Sequence, residues 1–168
     1  MDLKVKNIDL RDILDSDLAI LCEIYGSTRK EELDNGTDWS NEQKKLFIEH
    51  QFSAQHQYYQ QNYLDAKFFI IEKEKTVLGR LYIEFFFEKK SIRIIDITLL
   101  PEWRNKNIGS SILNEIIKKA AENNLNVSIH VESFNPAMKL YKRLGFKKIS
   151  ETNGVYHLME WDYKSLNI

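Results

Sequence analysis

Apolar positions recur along this chain with two alternating periods, and each change of period marks an element. The stretch 3–8, from Leu3 to Ile8, predicts a short opening strand. Leu18, Leu21, Cys22 and Tyr25 then recur at helical spacing, and Gly26 supplies a stop signal. The polar stretch 27–38, which contains Asn35-Gly36, predicts a loop. Ser40 followed by Gln43 has the form of a capping box, so a second helix is expected from there to Tyr63. On it Ile48, Phe52, Tyr59 and Tyr63 share a face, and Gln51, Gln55, His56, Gln57, Gln60 and Gln61 form an amide-rich remainder.

Beyond Phe68 the pattern becomes β-branched and aromatic. The runs 68–71, 77–87 and 92–100, separated by short charged turns, predict three consecutive antiparallel strands. After Pro101 the period reverts to helical, with Ile108, Ile112, Leu113, Ile116, Ile117 and Ala120 on one stripe that ends at Asn123-Asn124. Residues 127–132 alternate apolar and polar, as a strand with one buried face does. Asn135-Pro136 pairs an N-cap residue with proline at the first helical position, and Gly145 fits the site just past the C-terminus of a short helix. Ala137, Leu140, Tyr141 and Leu144 are its inward face. Two closing strands, 146–149 and 155–161, flank Asn153-Gly154, a type I′ hairpin signal.

Composition narrows the class without naming it. The chain of 168 residues has no break rich in Gly, Pro or Ser, so one domain over 1–168 is expected. Lys plus Arg number 24 against 25 Asp plus Glu, a balance that offers no general attraction for nucleic acid or an acidic membrane. The single cysteine, Cys22, excludes an intrachain disulfide and a Cys-rich metal site, so no metal is expected; on the inward stripe of its helix it reads as core. No stretch approaches the roughly 18 apolar residues of a membrane span, and 1–6 lacks the apolar run of a signal peptide. A cytoplasmic setting with no membrane partner is the expectation.

One segment carries candidate chemistry. The apolar strand 92–100 enters the polar turn Arg104-Asn105-Lys106-Asn107, which opens directly into a helix at Ile108-Gly109-Ser110-Ser111. A helix N-terminus leaves backbone N–H groups without internal partners and carries about half a positive charge, which suits a phosphate. Gly109 lets an oxygen approach the main chain, and Arg104 and Lys106 add charge at the mouth. Alone, the segment reads equally as an ordinary polar βα connection.

Two blocks in order give it a context. Arg104-x-x-Asn107-x-Gly109 resembles the acyl-CoA signature [Gln/Arg]-x-x-Gly-x-[Gly/Ala] of the GNAT superfamily of N-acetyltransferases. The block Asn135-Pro136-Ala137-x-x-Leu140-Tyr141-x-x-Leu144-Gly145-Phe146 resembles that family's downstream helix with its terminal Gly-Phe. Asn107 stands where the signature has its first glycine, and Asn is among the few other residues that tolerate a left-handed backbone. The resemblance implies an α/β (α+β) GNAT fold, a mixed, mostly antiparallel seven-stranded sheet flanked by about four helices. It also implies acetyl-CoA as acyl donor, with the backbone at Leu99 and Leu100 pairing with the pantetheine, residues 104–111 holding the pyrophosphate and Asn135 near the pantetheine.

Acyl transfer to an amine requires a neutral amine, stabilisation of an oxyanion, and a proton for the departing thiolate. By the resemblance, a main-chain N–H near Leu99 faces the thioester oxygen and Tyr141 is the general acid; without it, Tyr141 reads as a core tyrosine. Asn135 caps its helix under either reading. For the base, His130 and Glu132 lie on one face of their strand, and either could relay a proton through water. Aligning on Asn135 gives His130, whereas aligning on Tyr141 gives Ile129, which has no proton chemistry; a surface His is the competing reading. Asp96 and Glu84, within apolar strands, read as polar-face positions ahead of cleft carboxylates.

The expected activity is acetyl-CoA-dependent N-acetyltransfer to a primary amine, of a small molecule or a peptide. The alternative is a non-catalytic acyl-CoA-binding regulatory module, motivated by Asn107 and the unsettled base. The aromatic stretch 82–87 offers apolar surface that a second copy of the chain could cover as a homodimer.

Overall fold

The computed structural model describes residues 2–86 and 88–167. Seven strands form one sheet: β1 (Asp9–Asp12), β2 (Lys67–Lys73), β3 (Thr76–Phe86), β4 (Ser91–Leu99), β5 (Asn126–Glu132), β6 (Lys147–Thr152) and β7 (Tyr156–Trp161). Their order is β1-β2-β3-β4-β5-β7-β6. Every neighbouring pair is antiparallel except β4 and β5, which are parallel and joined through the helix α3 (Ile108–Glu122). Two long helices, α1 (Leu18–Gly36) and α2 (Asn41–Asn62), precede the sheet's main part, and α4 (Met138–Arg143) lies between β5 and β6. This is the expected mixed, mostly antiparallel sheet of seven strands with four helices.

Two apolar clusters hold the layers together. Leu21, Ile24 and Tyr25 of α1 and Phe52 of α2 pack on Ile70 and Tyr82, covering one face of the sheet. Ile112, Leu113 and Ile116 of α3, with Met138 and Tyr141 of α4, cover the other through Ile71, Leu81, Ile83, Ile92, Ile94, Val127 and Ile129. Burial of such side chains contributes about 1.5–3 kcal/mol each, offset by the entropy of ordering them. β6 is the exception to the layering, since all six of its residues are exposed. Among the described residues no helix is long and apolar enough to cross a membrane.

Three sequence expectations are corrected. The opening strand is not 3–8: only a Val5–Ile8 bridge forms there, and the first paired strand is Asp9–Asp12. Gly26 does not end the first helix, and 27–38 is not a loop, because α1 continues to Gly36. The polar residues sustain the helix: Ser27 and Thr28 donate to the carbonyls of Ile24 and Tyr25, Lys30 pairs with Asp34 at 2.7 Å, and Leu33 is buried. Gly26 serves packing instead, for a Cβ there would lie 3.1 Å from Cγ2 of Ile48 on α2. Third, the helix expected to start at Pro136 begins at Met138, after a turn in which Asn135 Oδ1 accepts from the Ala137 N–H at 2.9 Å.

Other signals translate directly. Ser40 and Gln43 form the reciprocal capping box at the start of α2. Gly145, at φ +98°, closes α4 in a Schellman arrangement in which Phe146 N–H donates to Tyr141 and Gly145 N–H to Lys142. Asn153 and Gly154 both have positive φ, as a type I′ turn demands. The stretch 82–87 is not an open surface: Tyr82, Ile83 and Glu84 are buried, and Phe87 lies outside the described residues.

The middle of the sheet contains an ion pair. Arg80 on β3 is 2% exposed; its Nε donates to Asp96 on β4 at 2.7 Å and its Nη2 to Gln55 on α2 at 2.9 Å. Thr98 Oγ1 donates to the other Asp96 oxygen at 2.8 Å. Removing one partner of such a pair leaves the other charge desolvated, whereas replacing both with apolar groups costs far less. Arg80→Met is therefore expected to destabilise the fold by about 3 kcal/mol in urea unfolding, with part of the loss recovered in Arg80→Met/Asp96→Leu.

Candidate functional site

β4 and β5 run side by side for only four residues. Their register ends at the Ile94–Ile129 pair, whereas the β3 side of β4 continues to Gly79–Leu99. Between them the β3–β4 register shifts: Tyr82 opposes Asp96 while Ile83 opposes Ile94, so Ile95 is an extra residue in β4. A bulge of this kind bends its strand and increases local twist, and here the two parallel strands part at it, their last pair being Ile94–Ile129.

The parting leaves one edge of β4 open. Leu100 N–H donates to Leu78 across β3 at 2.8 Å, so by strand alternation the polar groups of Leu99 and Ile97 point the other way, into the gap. The Leu99 carbonyl accepts from Arg104 Nε at 2.9 Å. Gly79 allows the close β3–β4 approach, since a Cβ there would fall within 2.0 Å of the Thr98 carbonyl oxygen. Leu100, 5% exposed, packs into the cluster under α1 and α2, so it anchors the strand end.

The gap leads into the polar turn. A single 3-10 turn (Pro101–Trp103) is followed by Asn105 at φ 58° and Asn107 at φ 63°, ψ 10°, both left-handed. Asn107 thus adopts the backbone for which the acyl-CoA signature uses glycine. Its carbonyl accepts from the N–H and the hydroxyl of Ser111, at 3.0 and 2.8 Å, which leaves the first N–H groups of α3 without helical partners. A Cβ on Gly109 would meet only Leu99 Cδ1, at 3.9 Å, so space lies over that helix end. Arg104 also donates to Ser27 Oγ of α1 at 3.2 Å, and Lys106 stands 5.4 Å over the Trp103 ring. The sequence-predicted residues 99–111 are thus brought together as an open strand edge ending at the uncapped N-terminus of α3.

Tyr141 lies on α4 in the core cluster that joins α3 and α4 to the sheet, 4% exposed, with its ring 5.7 Å from Phe146 in an edge-on contact. Burial, with a contribution from the Asp96 charge, pushes its phenol well above the ordinary tyrosine range, so it is held protonated. Asn135 is engaged in the turn that launches α4.

On the α2 side, where β4 and β5 part, a pocket of about 290 Å³ is lined by Tyr59, Tyr63, Arg93, Ile94, Ile95, His130 and Tyr156. Desolvation, with the nearby Arg93 charge, lowers the His130 pKa and favours neutral imidazole. The structure separates the two base candidates: Glu132, opposite Tyr156 in the β5–β7 register, is not among the lining residues. Burial raises the pKa of Tyr59 to about 12. Glu84 is 7% exposed with an unpartnered Oε2, and Asp96 is consumed by Arg80 and Thr98. A larger cleft of about 1130 Å³ runs between α1 and α2 to Leu100 and Glu102. Cys22 lines it half-buried, its thiol pushed up by burial.

From the sequence, the amide and tyrosine face of the second helix, with Tyr59 and Tyr63, could shape an acceptor site but reads ahead of that as helix-to-sheet packing; Arg93, Ile97, Ser27 and Tyr156 carry no such signal. The tyrosines were legible only as a helix stripe and a strand residue, and no spacing signals that β7 brings Tyr156 to α2.

Comparison with known proteins places this geometry. The model of the Acetyltransferase (GNAT) family matches residues 33–146, and the chain belongs to that family. An N-alpha-acetyltransferase of Sulfurisphaera tokodaii is 29% identical over 105 residues, 55% of this chain; the match spans 63% of that relative's length. Among solved structures, the PaiA N-acetyltransferase of Thermoplasma acidophilum in complex with coenzyme A superposes with a TM-score of 0.67 at 23% identity. It covers 93% of this chain and 99% of that one. The spermidine N-acetyltransferase of Vibrio cholerae, in complex with CoA and spermine, gives 0.64 at 17% identity, covering 96% and 99%. At these identities the two structures share the fold.

Asn107 yields a direct test of the cradle. A β-branched residue is strained at its positive φ, whereas glycine is at ease there. Asn107→Val should weaken acetyl-CoA binding by about tenfold in calorimetric titration, and Asn107→Gly should leave it within about twofold.

Proposed function

We propose that this chain is an acetyl-CoA-dependent N-acetyltransferase that moves the acetyl group directly to a primary amine. The observation that carries the reading is the open edge of β4 at Ile97 and Leu99 running into the left-handed Asn107 and the free N-terminus of α3. Backbone groups on that edge pair with pantetheine amides as an added strand would, and the α3 N-terminus with Gly109 receives the pyrophosphate. Arg104 is spent on Leu99 and Ser27, so its part is to fix the loop, and Lys106 supplies the mobile charge.

The acceptor enters from the Tyr59, Tyr63, Arg93, His130 and Tyr156 pocket, on the other side of the gap. His130 takes the proton that an ammonium must lose before it can attack; neutral imidazole suits that task. The amine nitrogen forms a bond to the acetyl carbon, and main-chain N–H at Leu99 stabilises the oxyanion. The C–S bond then breaks and Tyr141 gives its proton to the thiolate, to be reprotonated from solvent. The products are an amide and coenzyme A. The N-alpha-acetyltransferase relative supports an amine acceptor. The alternative, a non-catalytic acyl-CoA-binding module, rests on Asn107 and an unsettled base. The left-handed turn and the place of His130, exposed at the pocket's wall, favour the enzyme.

Titration with acetyl-CoA and thiol release over an amine panel test this reading, and absence of binding at high micromolar acetyl-CoA sinks it. Tyr141→Phe should lower kcat by about 100-fold with little change in acetyl-CoA affinity; unchanged turnover removes Tyr141 from the chemistry. If neutral His130 is the base, kcat/KM falls as pH drops through its pKa. Because that pKa is lowered, the acid limb lies below the ordinary histidine value of about 6.5, and His130→Asn abolishes the limb.

A further inference from the structure

Within the acceptor pocket the charges are lopsided. Arg93 enters it from β4, its guanidinium 5.5 Å from the centre of the Tyr63 ring, and among the described residues no carboxylate lies within ion-pair distance of it. The other polar lining groups are the phenols of Tyr59, Tyr63 and Tyr156 and the imidazole of His130; none is an acid. The nearest carboxylate in the register is Glu84, directly opposite Arg93 on β3, yet it is buried outside the lining and its Oε2 has no partner. Burial pushes the Glu84 carboxyl upward, while Arg93 across the two strands draws it down.

A guanidinium presents a planar fork of donors that matches a carboxylate, and half-buried Arg93 has, among the described residues, no ion-paired acid occupying that fork. Lying against the Tyr63 ring keeps it in place without neutralising it. An acceptor that carries only positive charge is repelled there, whereas one whose ammonium is offset by a carboxylate is not. A polyamine acceptor, the ligand class seen with the Vibrio cholerae neighbour, therefore fits this pocket poorly. At about 290 Å³ the pocket is small beside the 1130 Å³ cleft between α1 and α2, which suits a compact acceptor.

Resting on the acyl-transfer reading above, we propose that the acceptor is a small amine that also bears a carboxylate, an amino acid or short peptide, held through that carboxylate by Arg93. Arg93 then fixes one end of the acceptor while His130, on the adjacent strand, faces the amine; the tyrosines wall the remainder. Arg93 is thereby a specificity-determining residue of β4, in a position the family signature does not include.

The test uses L-amino acids, ω-amino acids and dipeptides, each beside its carboxamide, together with spermidine, with acetyl-CoA as donor and thiol release as the readout. The best carboxylate-bearing acceptor should exceed its carboxamide in kcat/KM by about tenfold or more, the difference residing mainly in KM. Arg93→Gln should bring that ratio to within about twofold of unity, and Arg93→Lys, which keeps the charge, should retain part of it; acetyl-CoA titration confirms that each variant is folded. Carboxamides or spermidine turned over as well as the carboxylates, or a preference that survives Arg93→Gln, overturns this inference and leaves the transferase reading standing. Acetyl-CoA bound without turnover of any amine overturns the transferase reading, and this inference with it.

Discussion

The extra residue in β4 is the constraint from which the rest of the site follows. Ile95 is accommodated opposite the Tyr82–Ile83 step, and from there on β4 has β3 but no longer β5 as a partner. An unpaired strand edge in the middle of a sheet is costly unless something else satisfies it. The Arg80–Asp96 pair, with Thr98 and Gln55, holds the bulged segment from the α2 side. Gly79 lets β3 press against the same segment. The gap is thus a built feature of the sheet, maintained by a buried charge network and a close backbone approach.

From that gap the two functional surfaces diverge. On one side the strand edge runs to the α3 N-terminus, where main-chain donors and a helix end provide for an anion. On the other side α2 and β7 supply tyrosines around Arg93 and His130. In the proposed reaction donor and acceptor meet where β4 and β5 separate, a point set by strand register and not by any single side chain.

Much of this was legible in the sequence, and the failures have physical causes. The strands from 68 to 100, α3, and the Gly145 and Asn153-Gly154 turns were readable because period and turn chemistry agree there. Residues 27–38 were misread because their helix is held by side-chain bonds to preceding carbonyls, an Asp34–Lys30 pair and one buried Leu33, none of which produces a strong apolar period. Gly26 looked like punctuation because a close helix crossing and a helix stop use the same residue. The phosphate cradle was visible as a contiguous segment. The pocket beside it was legible only in pieces, His130 and the tyrosine face of the second helix, since Tyr59, Arg93, His130 and Tyr156 come from four elements whose juxtaposition depends on sheet order.

β6 closes the sheet at the far side from β1 with no residue buried on either face. Such an edge exposes unpaired main-chain groups to any passing strand, yet Lys147, Lys148 and Glu151 charge it and a register irregularity between Lys148 and Ser150 distorts it. The consequence is colloidal: a protein that must keep one strand edge open inside its sheet has made its outer edge a poor template for aggregation.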